Sequence, residues 1–377
     1  MYKQPNPSNE TLDRLANVFL SNVEVKDLPQ DGQDQARNVT KQIYIVQQED
    51  QNVTMRLEPA ASAGASGEEG GGGGSTPEGG SQEIKLPVPT TDQGDFDVFV
   101  PIRSNGLAPG NQSQQIQRLN AYATGTEFGN ATVYLVPPTG FTIISDIDDI
   151  LRVTKIYKPS EGLLNSFGRP FVPWENMPSV YSNWSRSLPD LHFHYLTTTP
   201  EQITRTYMDF IFKHYPGGSF DTRPLNFSDV SATLSIRRFL LDKIFQTFPQ
   251  RKFILVGDTS NSDIMRAYPS LAKDYPSQVQ CIFLRNTSAT DKDNLFPYDT
   301  GYFKDLPQKS YMFFRVPNDL SNLDVAGGNC YNASIPQNVT FGRQAELLGI
   351  HGAAGRSVAS GLTAVLVAVL AAAFAAL

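Results

Sequence analysis

After residue 139, strand-like and helix-like segments alternate along this 377-residue chain. Apolar residues at helical spacing in segments 234–248 and 264–274 separate short apolar runs. Strands that alternate with helices are typical of parallel sheets covered by helices. We therefore expect an α/β fold with a doubly wound parallel sheet over residues 139–320. The strand-like runs are FTIIS (141–145), HFHYLT (192–197), FILV (253–256) and QCIFL (280–284).

Three carboxylates follow the first of these runs directly. Asp146, Asp148 and Asp149 lie where ligands bind in such sheets, at the carboxyl ends of the strands. Like charges this close are costly without a cation. Mg²⁺ prefers oxygen ligands and often takes one or two protein carboxylates together with phosphate oxygens. The cluster therefore predicts a magnesium site.

Polar residues also end the second and third strands. Thr197 could hydrogen-bond a phosphoryl oxygen, although hydroxyls at strand ends are commonly turn or cap residues. Asp258 follows Gly257 after the third strand, and Asp263 comes five residues later. A Gly-Asp pair after a strand is also an ordinary turn, so each feature alone leaves both interpretations open.

Taken in order, these motifs resemble the haloacid dehalogenase superfamily, and more narrowly the actin-patch-protein phosphatidate phosphatase family. The resemblance covers about residues 140–290. The segments that carry it are SDIDDILRVT (145–154), FHYLTTTP (193–200), GGSF (217–220) and FPQRKFILVGDTSNSD (248–263).

The resemblance implies a reaction and roles for individual residues. Asp146 would be the nucleophile that takes the phosphoryl group. Asp148 would protonate the leaving oxygen and then activate water. Thr197 would hold the phosphoryl group. Arg237 stands where the family has a lysine, and it keeps the positive charge with a different geometry.

The same resemblance implies Mg²⁺ as the cofactor. The expected metal site comprises Asp146 and Asp148 from the first strand with Asp258 and Asp263 from the third. The expected activity is hydrolysis of a phosphate monoester, with phosphatidate converted to diacylglycerol. The alternatives are a soluble phosphate ester as substrate, or a catalytically weak cell-surface glycoprotein that uses the fold as a binding module.

The N-terminal region, residues 1–138, shows short β-like runs at 43–47, 53–57, 96–102 and 131–136. They predict a small β-rich, sandwich-like unit. Residues 60–82 are Gly-rich and low in complexity, which predicts a disordered insertion. Residues 321–377 are expected to form a tail.

Both ends of the chain bear on its compartment. An uncharged apolar run, 361–377, follows small residues and resembles a GPI-attachment signal, with a retained membrane anchor as the alternative. Ten N-x-S/T sequons favour an exported glycoprotein at the cell surface or in the secretory pathway. No signal peptide is visible, so we expect the natural N-terminus to lie upstream.

Charge and cysteine content give two further expectations. A net charge of −7 and the absence of a basic run argue against a nucleic-acid partner. Cys281 and Cys330 could pair in an oxidising compartment, or Cys281 could be a buried strand residue without a partner.

Overall fold

The computed structural model describes residues 1–20, 23–59, 81–103, 116–123, 130–223, 230–291, 298–337 and 339–342. The chain divides into a strand-rich unit, residues 1–3 and 46–137, and an α/β unit, residues 4–45 and 138–377. The strands are β1 Tyr2–Lys3, β2 Val46–Gln47, β3 Thr54–Pro59, β4 Gln82–Lys85, β5 Gln117–Ala123, β6 Asn130–Leu135, β7 Phe141–Ser145, β8 His192–Pro200, β9 Ser219–Arg223, β10 Lys252–Asp258, β11 Val279–Arg285 and β12 Tyr311–Phe314. The α-helices are α1 Asn9–Leu20, α2 Gln30–Ile43, α3 Pro159–Leu163, α4 Met177–Ser187, α5 Glu201–His214, α6 Val230–Thr247, α7 Ser262–Asp274 and α8 Thr287–Thr290.

Six parallel strands form the sheet of the α/β unit, in the order β12-β11-β10-β7-β8-β9. Within this sheet the first strand along the chain is β7, and β8 and β9 follow on one side of it. The chain then returns to the other side of β7 for β10, β11 and β12. The strand order therefore reverses between β7 and β10. Ligands of open α/β sheets bind at such a reversal point, outside the carboxyl ends of the strands. The predicted doubly wound α/β fold is confirmed.

Alternate residues of β10 face two different apolar cores. Ile254 and Val256 contribute to one core, which includes side chains of α4 and α5. Phe253 and Leu255 contribute to the other, which includes side chains of α6 and α7. Because successive strand residues point to opposite faces, a continuous apolar run is what a strand covered on both faces requires.

Helices α1 and α2 belong to the α/β unit, which differs from the predicted boundary at residue 138. Phe19 of α1 stacks on Phe167, with ring centroids 4.6 Å apart. Arg37 of α2 donates to both carboxylate oxygens of Asp13 in α1, at 2.7 and 2.9 Å. Both helices join the α/β unit because their buried residues recur at helical spacing, which gives each helix one apolar face. Those buried residues are Leu12, Leu15, Ala16, Phe19 and Leu20 in α1, and Ala36, Val39, Thr40 and Ile43 with Gly32 in α2.

The strand-rich unit contains a four-stranded antiparallel sheet in the order β4-β3-β5-β6 and a two-stranded antiparallel ribbon of β1 and β2. The predicted run 131–136 corresponds to β6, and the run 53–57 corresponds to β3. The run 96–102 forms no strand. A β-like pattern yields a strand only where a neighbouring edge accepts its hydrogen bonds, and the sequence does not show that edge. The predicted Gly-rich insertion, 60–82, lies almost entirely outside the described residues.

A disulfide joins Cys281 of β11 to Cys330, with Cα atoms 5.5 Å apart. Residues beyond the predicted boundary at 320 therefore pack on the α/β unit. Val325 is buried in the core, and the Phe313 N–H donates to Gln337 Oε1 at 2.7 Å. The predicted anchor signal, 361–377, lies outside the described residues. Within the part of the chain that the structure describes, no helix has the length and apolar character to span a bilayer.

Candidate active site

Asp146 is the first residue after β7 and lies at the reversal point of the sheet. Its N–H donates to the Val256 carbonyl of β10 at 2.9 Å, which fixes the backbone there. The residue is 3% exposed. Burial raises the pKa of Asp146 to about 6, although the charge of Arg237 opposes the rise and that of Asp148 adds to it. A partly desolvated carboxylate next to a cation suits a nucleophile.

Arg237 reaches this carboxylate from α6. Its Nη2 donates to Asp146 Oδ1 at 3.3 Å, and the side chain is only 2% exposed. Its Nε and Nη1 have no hydrogen-bond partner in the described residues. Burial lowers the pKa of Arg237, but the charge and hydrogen bond of Asp146 together with the nearby Tyr268 and Asp263 outweigh it, so the pKa is raised. Buried N–H groups without acceptors are costly, so this guanidinium is arranged to receive an anion beside Asp146.

Asp258 ends β10, the strand next to β7. Its Oδ1 accepts hydrogen bonds from the N–H and the hydroxyl of Ser260. Its Oδ2 is buried and has no partner in the described residues. Burial, together with the charges of Asp146 and Asp149, raises the pKa of Asp258 to about 8.

These carboxylates suit a hard divalent cation. A bound cation would supply the missing partner of Asp258 Oδ2 and would offset the repulsion between Asp258 and Asp146. Among the described residues, no three His, Cys, Asp or Glu side chains converge to hold a metal ion together. The predicted set of Asp146, Asp148, Asp258 and Asp263 is therefore not assembled as one cluster. Two carboxylates still fit Mg²⁺, which commonly keeps several waters and phosphate oxygens as ligands.

Asp148 faces a separate cluster of donors. Its Oδ1 accepts from Arg152 Nε at 3.0 Å, from Thr154 Oγ1 at 2.8 Å and from the Tyr207 hydroxyl at 3.4 Å. Its side chain is 13% exposed. The sequence placed Asp148 in the site but gave no signal for this cluster.

Asp149 shapes the turn between Asp146 and the donors of Asp148. It has a φ of +59°, a left-handed conformation that Asp tolerates better than most residues. Its carboxylate accepts from the backbone N–H groups of Thr154, Lys155 and Ile156, at 3.1, 2.7 and 3.0 Å. Burial raises its pKa, and the nearby charge of Arg285 opposes the rise. This structural role of Asp149 was not predicted. The signal for it in the sequence was a third acidic residue directly after Asp148.

Thr197 comes from β8, the strand next to β7, and Asp263 comes from helix α7. Thr197 is buried in β8, two residues beyond Tyr195, the register partner of Ser145. Its Oγ1 accepts from the Thr199 N–H at 3.1 Å.

Asp263 lies in the first turn of α7 and accepts from Arg266 Nη2 at 3.3 Å. Its charge contributes to the raised pKa of Arg237.

Comparison with known proteins finds similarity in the segment that contains these residues. Residues 141–286 match the family model described as phosphatidate phosphatase APP1, catalytic domain. Phosphatidate phosphatase APP1 of Saccharomyces cerevisiae is 29% identical to this chain over 165 residues, which cover 42% of the chain and 28% of the yeast protein. The chain thus spans less than a third of the length of that relative. Segment 141–286 contains β7 to β11 with Asp146, Arg237 and Asp258, and it is similar to the catalytic domain of phosphatidate phosphatase APP1, a phosphoric monoester hydrolase.

Proposed function

We propose that this chain is a Mg²⁺-dependent phosphatase that hydrolyses phosphatidate to diacylglycerol through an aspartyl-phosphate. The observation that carries the proposal is the pairing of Asp146 with Arg237 at the reversal point of the sheet. Among the residues that the structure describes, two N–H-bearing nitrogens of Arg237 and one oxygen of Asp258 lack partners there. A phosphate and a cation would satisfy both groups beside a nucleophilic carboxylate.

The first chemical step forms a bond between an Asp146 oxygen and phosphorus, while the bond from phosphorus to the leaving oxygen breaks. Arg237 holds the phosphoryl oxygens with its free N–H groups, and Thr197 offers a hydroxyl from the neighbouring strand. Asp148 gives its proton to the leaving oxygen. General acid catalysis of this kind contributes roughly 10²–10⁴-fold to rates.

In the second step, water attacks the phosphorus of the aspartyl-phosphate. Asp148, now ionised, takes the proton of that water. The bond between Asp146 and phosphorus breaks, which releases phosphate and restores the carboxylate.

Asp146 and Asp258 are the residues that would hold Mg²⁺, with Asp263 close enough to influence the site electrostatically. When bound, the ion supplies positive charge that neutralises the phosphate and orients it. The raised pKa of Asp258 supports this assignment, because a carboxylate so buried is costly to ionise without a cation.

Phosphatidate as the substrate rests on the comparisons. The matched family and the yeast relative both carry the name of that activity. The experiment that tests the function is phosphate release from phosphatidate in mixed micelles and from p-nitrophenyl phosphate, with and without Mg²⁺. Mg²⁺-dependent release that Asp146→Asn abolishes would support the mechanism. A preference for the aryl phosphate would contradict the lipid substrate, and no release from either ester would contradict the phosphatase.

We also propose that the protein is exported, glycosylated and held at the cell surface through its C-terminal segment. The sequons at Asn9, Asn38, Asn52 and Asn183 have exposed asparagines, as a glycan requires. Asn286 is buried and caps α8, so its side chain is not free for a glycan in the folded protein. Peptide mapping after endoglycosidase treatment would test the glycans, and release from membranes by a phosphatidylinositol-specific phospholipase would test the anchor.

A further inference from the structure

Arg152 is a fully buried cation beside the proposed site, with 0% of its side chain exposed. Its Nε donates to Asp148 Oδ1 at 3.0 Å, and its Nη1 donates to the Asn165 carbonyl at 3.1 Å. Its Nη2 donates to Ser166 Oγ at 2.8 Å and to the Tyr207 hydroxyl at 3.1 Å. Every nitrogen of the guanidinium therefore has an acceptor, in contrast to Arg237.

Two aromatic rings hold the same guanidinium in place. Its central carbon lies 4.3 Å from the ring centroid of Phe171 and 4.6 Å from that of Tyr207. Cation–π contacts of this kind stabilise a desolvated guanidinium. The position of Arg152 is thus determined from several sides, and so is the carboxylate that it contacts.

The hydrogen bonds to Asp148 are strongly asymmetric. Arg152, Thr154 and Tyr207 all donate to Oδ1. No described residue donates to Oδ2, and the side chain is partly exposed. The donors therefore orient the carboxylate and leave one oxygen open to a ligand.

We infer that Arg152 is a positioning residue that fixes Asp148 through Oδ1, so that Oδ2 carries the proton of the reaction. The inference rests on the proposed phosphatase function. In the first step the Oδ2–H bond breaks as the leaving oxygen gains that proton. In the second step Oδ2 takes a proton from the attacking water. Arg152 stays protonated throughout and exchanges no proton.

The orientation of Oδ2 affects the reaction to the extent that the leaving oxygen needs a proton. Proton donation matters most when the leaving group is a strongly basic alkoxide. It matters little for p-nitrophenolate, which leaves readily without a proton. Loss of Arg152 should therefore affect alkyl phosphates far more than aryl phosphates.

The test compares kcat/KM on phosphatidate in mixed micelles, which is an alkyl phosphate, and on p-nitrophenyl phosphate for Arg152→Met, Arg152→Lys and Thr154→Val, because kcat/KM reports on the phosphoryl-transfer step and is independent of the later hydrolysis of the intermediate. Rates are normalised to folded protein. Asp148→Asn gives the pattern for loss of the acid itself. Arg251→Met is the matched control, since Arg251 is also fully buried but bonds Thr142 Oγ1 and the Asp190 carbonyl away from the site. Thr154→Val removes a single donor to Oδ1 with little change of shape. It therefore tests the positioning of Asp148 even if Arg152→Met does not fold.

We expect Arg152→Met to lose on the order of 10²-fold in kcat/KM on the alkyl phosphate and far less on the aryl phosphate, as Asp148→Asn does. Thr154→Val should show a smaller loss with the same selectivity, and Arg152→Lys should recover part of it. Equal losses on both esters, or the same selectivity in Arg251→Met, would overturn the positioning role in an active enzyme. Failure of the wild type to release phosphate from either ester would instead overturn the proposed function, and this inference with it.

Discussion

The guanidinium of Arg237 and the carboxylate of Asp146 lie 3.3 Å apart in a place where both side chains are almost fully buried. The pair joins the helix α6 to the end of β7. An isolated buried pair usually contributes little net stability, because desolvation offsets the attraction. The pair is therefore better explained by a ligand that both groups contact than by stability.

Replacement of Arg237 should weaken phosphate binding and catalysis. We expect Arg237→Met to lower kcat/KM on p-nitrophenyl phosphate by roughly 10²-fold, which is typical for removal of one electrostatic donor to a transition state. Arg237→Lys should lose less, because it keeps the charge but not the planar fork. Steady-state kinetics and competition by inorganic phosphate would measure both effects. The matched control is Arg238→Met, since Arg238 pairs with Asp242 and Asp274 instead. A kcat/KM of Arg237→Met equal to that of the wild type would contradict a role of Arg237 in phosphate binding.

Metal-free protein should lose stability as the pH rises from about 4 to 8. Asp146 and Asp258 have pKa values raised to about 6 and about 8 in the folded state, above the ordinary value near 4 of an unfolded chain. Proton binding therefore favours the folded state, and that contribution disappears as the pH passes these values. Mg²⁺ should raise the melting temperature more at pH 8 than at pH 5.

Asp258→Asn supplies the comparison for this effect. In metal-free buffer at pH 8 the variant should melt several degrees above the wild type, given about 2–4 °C per kcal/mol for a domain of this size. It should also lose most of the Mg²⁺-induced rise. Differential scanning fluorimetry across pH would measure both. Asp305→Asn, which changes an exposed carboxylate, controls for net charge; equal behaviour of the two variants would rule out a metal role for Asp258.

The proposed intermediate should accumulate when water activation is removed. Asp148→Asn cannot take a proton from water, but p-nitrophenyl phosphate needs no acid to react. We therefore expect a rapid burst of nitrophenolate close to one equivalent, with a phosphoryl group on Asp146 detectable by mass spectrometry of acid-quenched peptides. Asp146→Asn should show neither signal. A burst with the phosphoryl group on another residue would contradict Asp146 as the nucleophile.

Removal of the disulfide should destabilise the α/β unit without altering the chemistry. Cys281 and Cys330 are separated by 49 residues, so the chain-entropy model gives about 4 kcal/mol. Denaturant unfolding of Cys330→Ala against the wild type would measure the difference. Dithiothreitol should lower the stability of the wild type and leave the variant unchanged. Equal stability of wild type and variant under oxidising conditions would mean that the bond does not form in solution.

The strands that position the site could be predicted because each is a short apolar run followed by a polar residue. FTIIS and FILV became β7 and β10, and their ends bring Asp146 and Asp258 to neighbouring strands. β9 and β12 were not predicted. β9 carries polar residues, and β12 has only four residues. Both are edge strands, whose pairing depends on a neighbour that the sequence does not reveal.

The donors around Asp148 could not be predicted for a different reason. Tyr207 is 59 residues away from Asp148 in the sequence. Arg152 has the i,i+4 spacing to Asp148 that is typical of a helix, but this segment is not a helix. Which side chains meet there depends on the turn that Asp149 forms. Spacing along the chain contains no information about that turn, whereas strand and helix periodicity is repeated over many residues.

Helices α1 and α2 also affect how the catalytic segment can be studied. They lie more than ninety residues before β7, yet Phe19 covers Phe167 within the same core as Ile143 and Val256. A fragment that begins at residue 139 would match the family model but would leave this apolar surface open to water. Such fragments should aggregate, and loss of activity in one of them would report on the missing helices rather than on the catalytic residues.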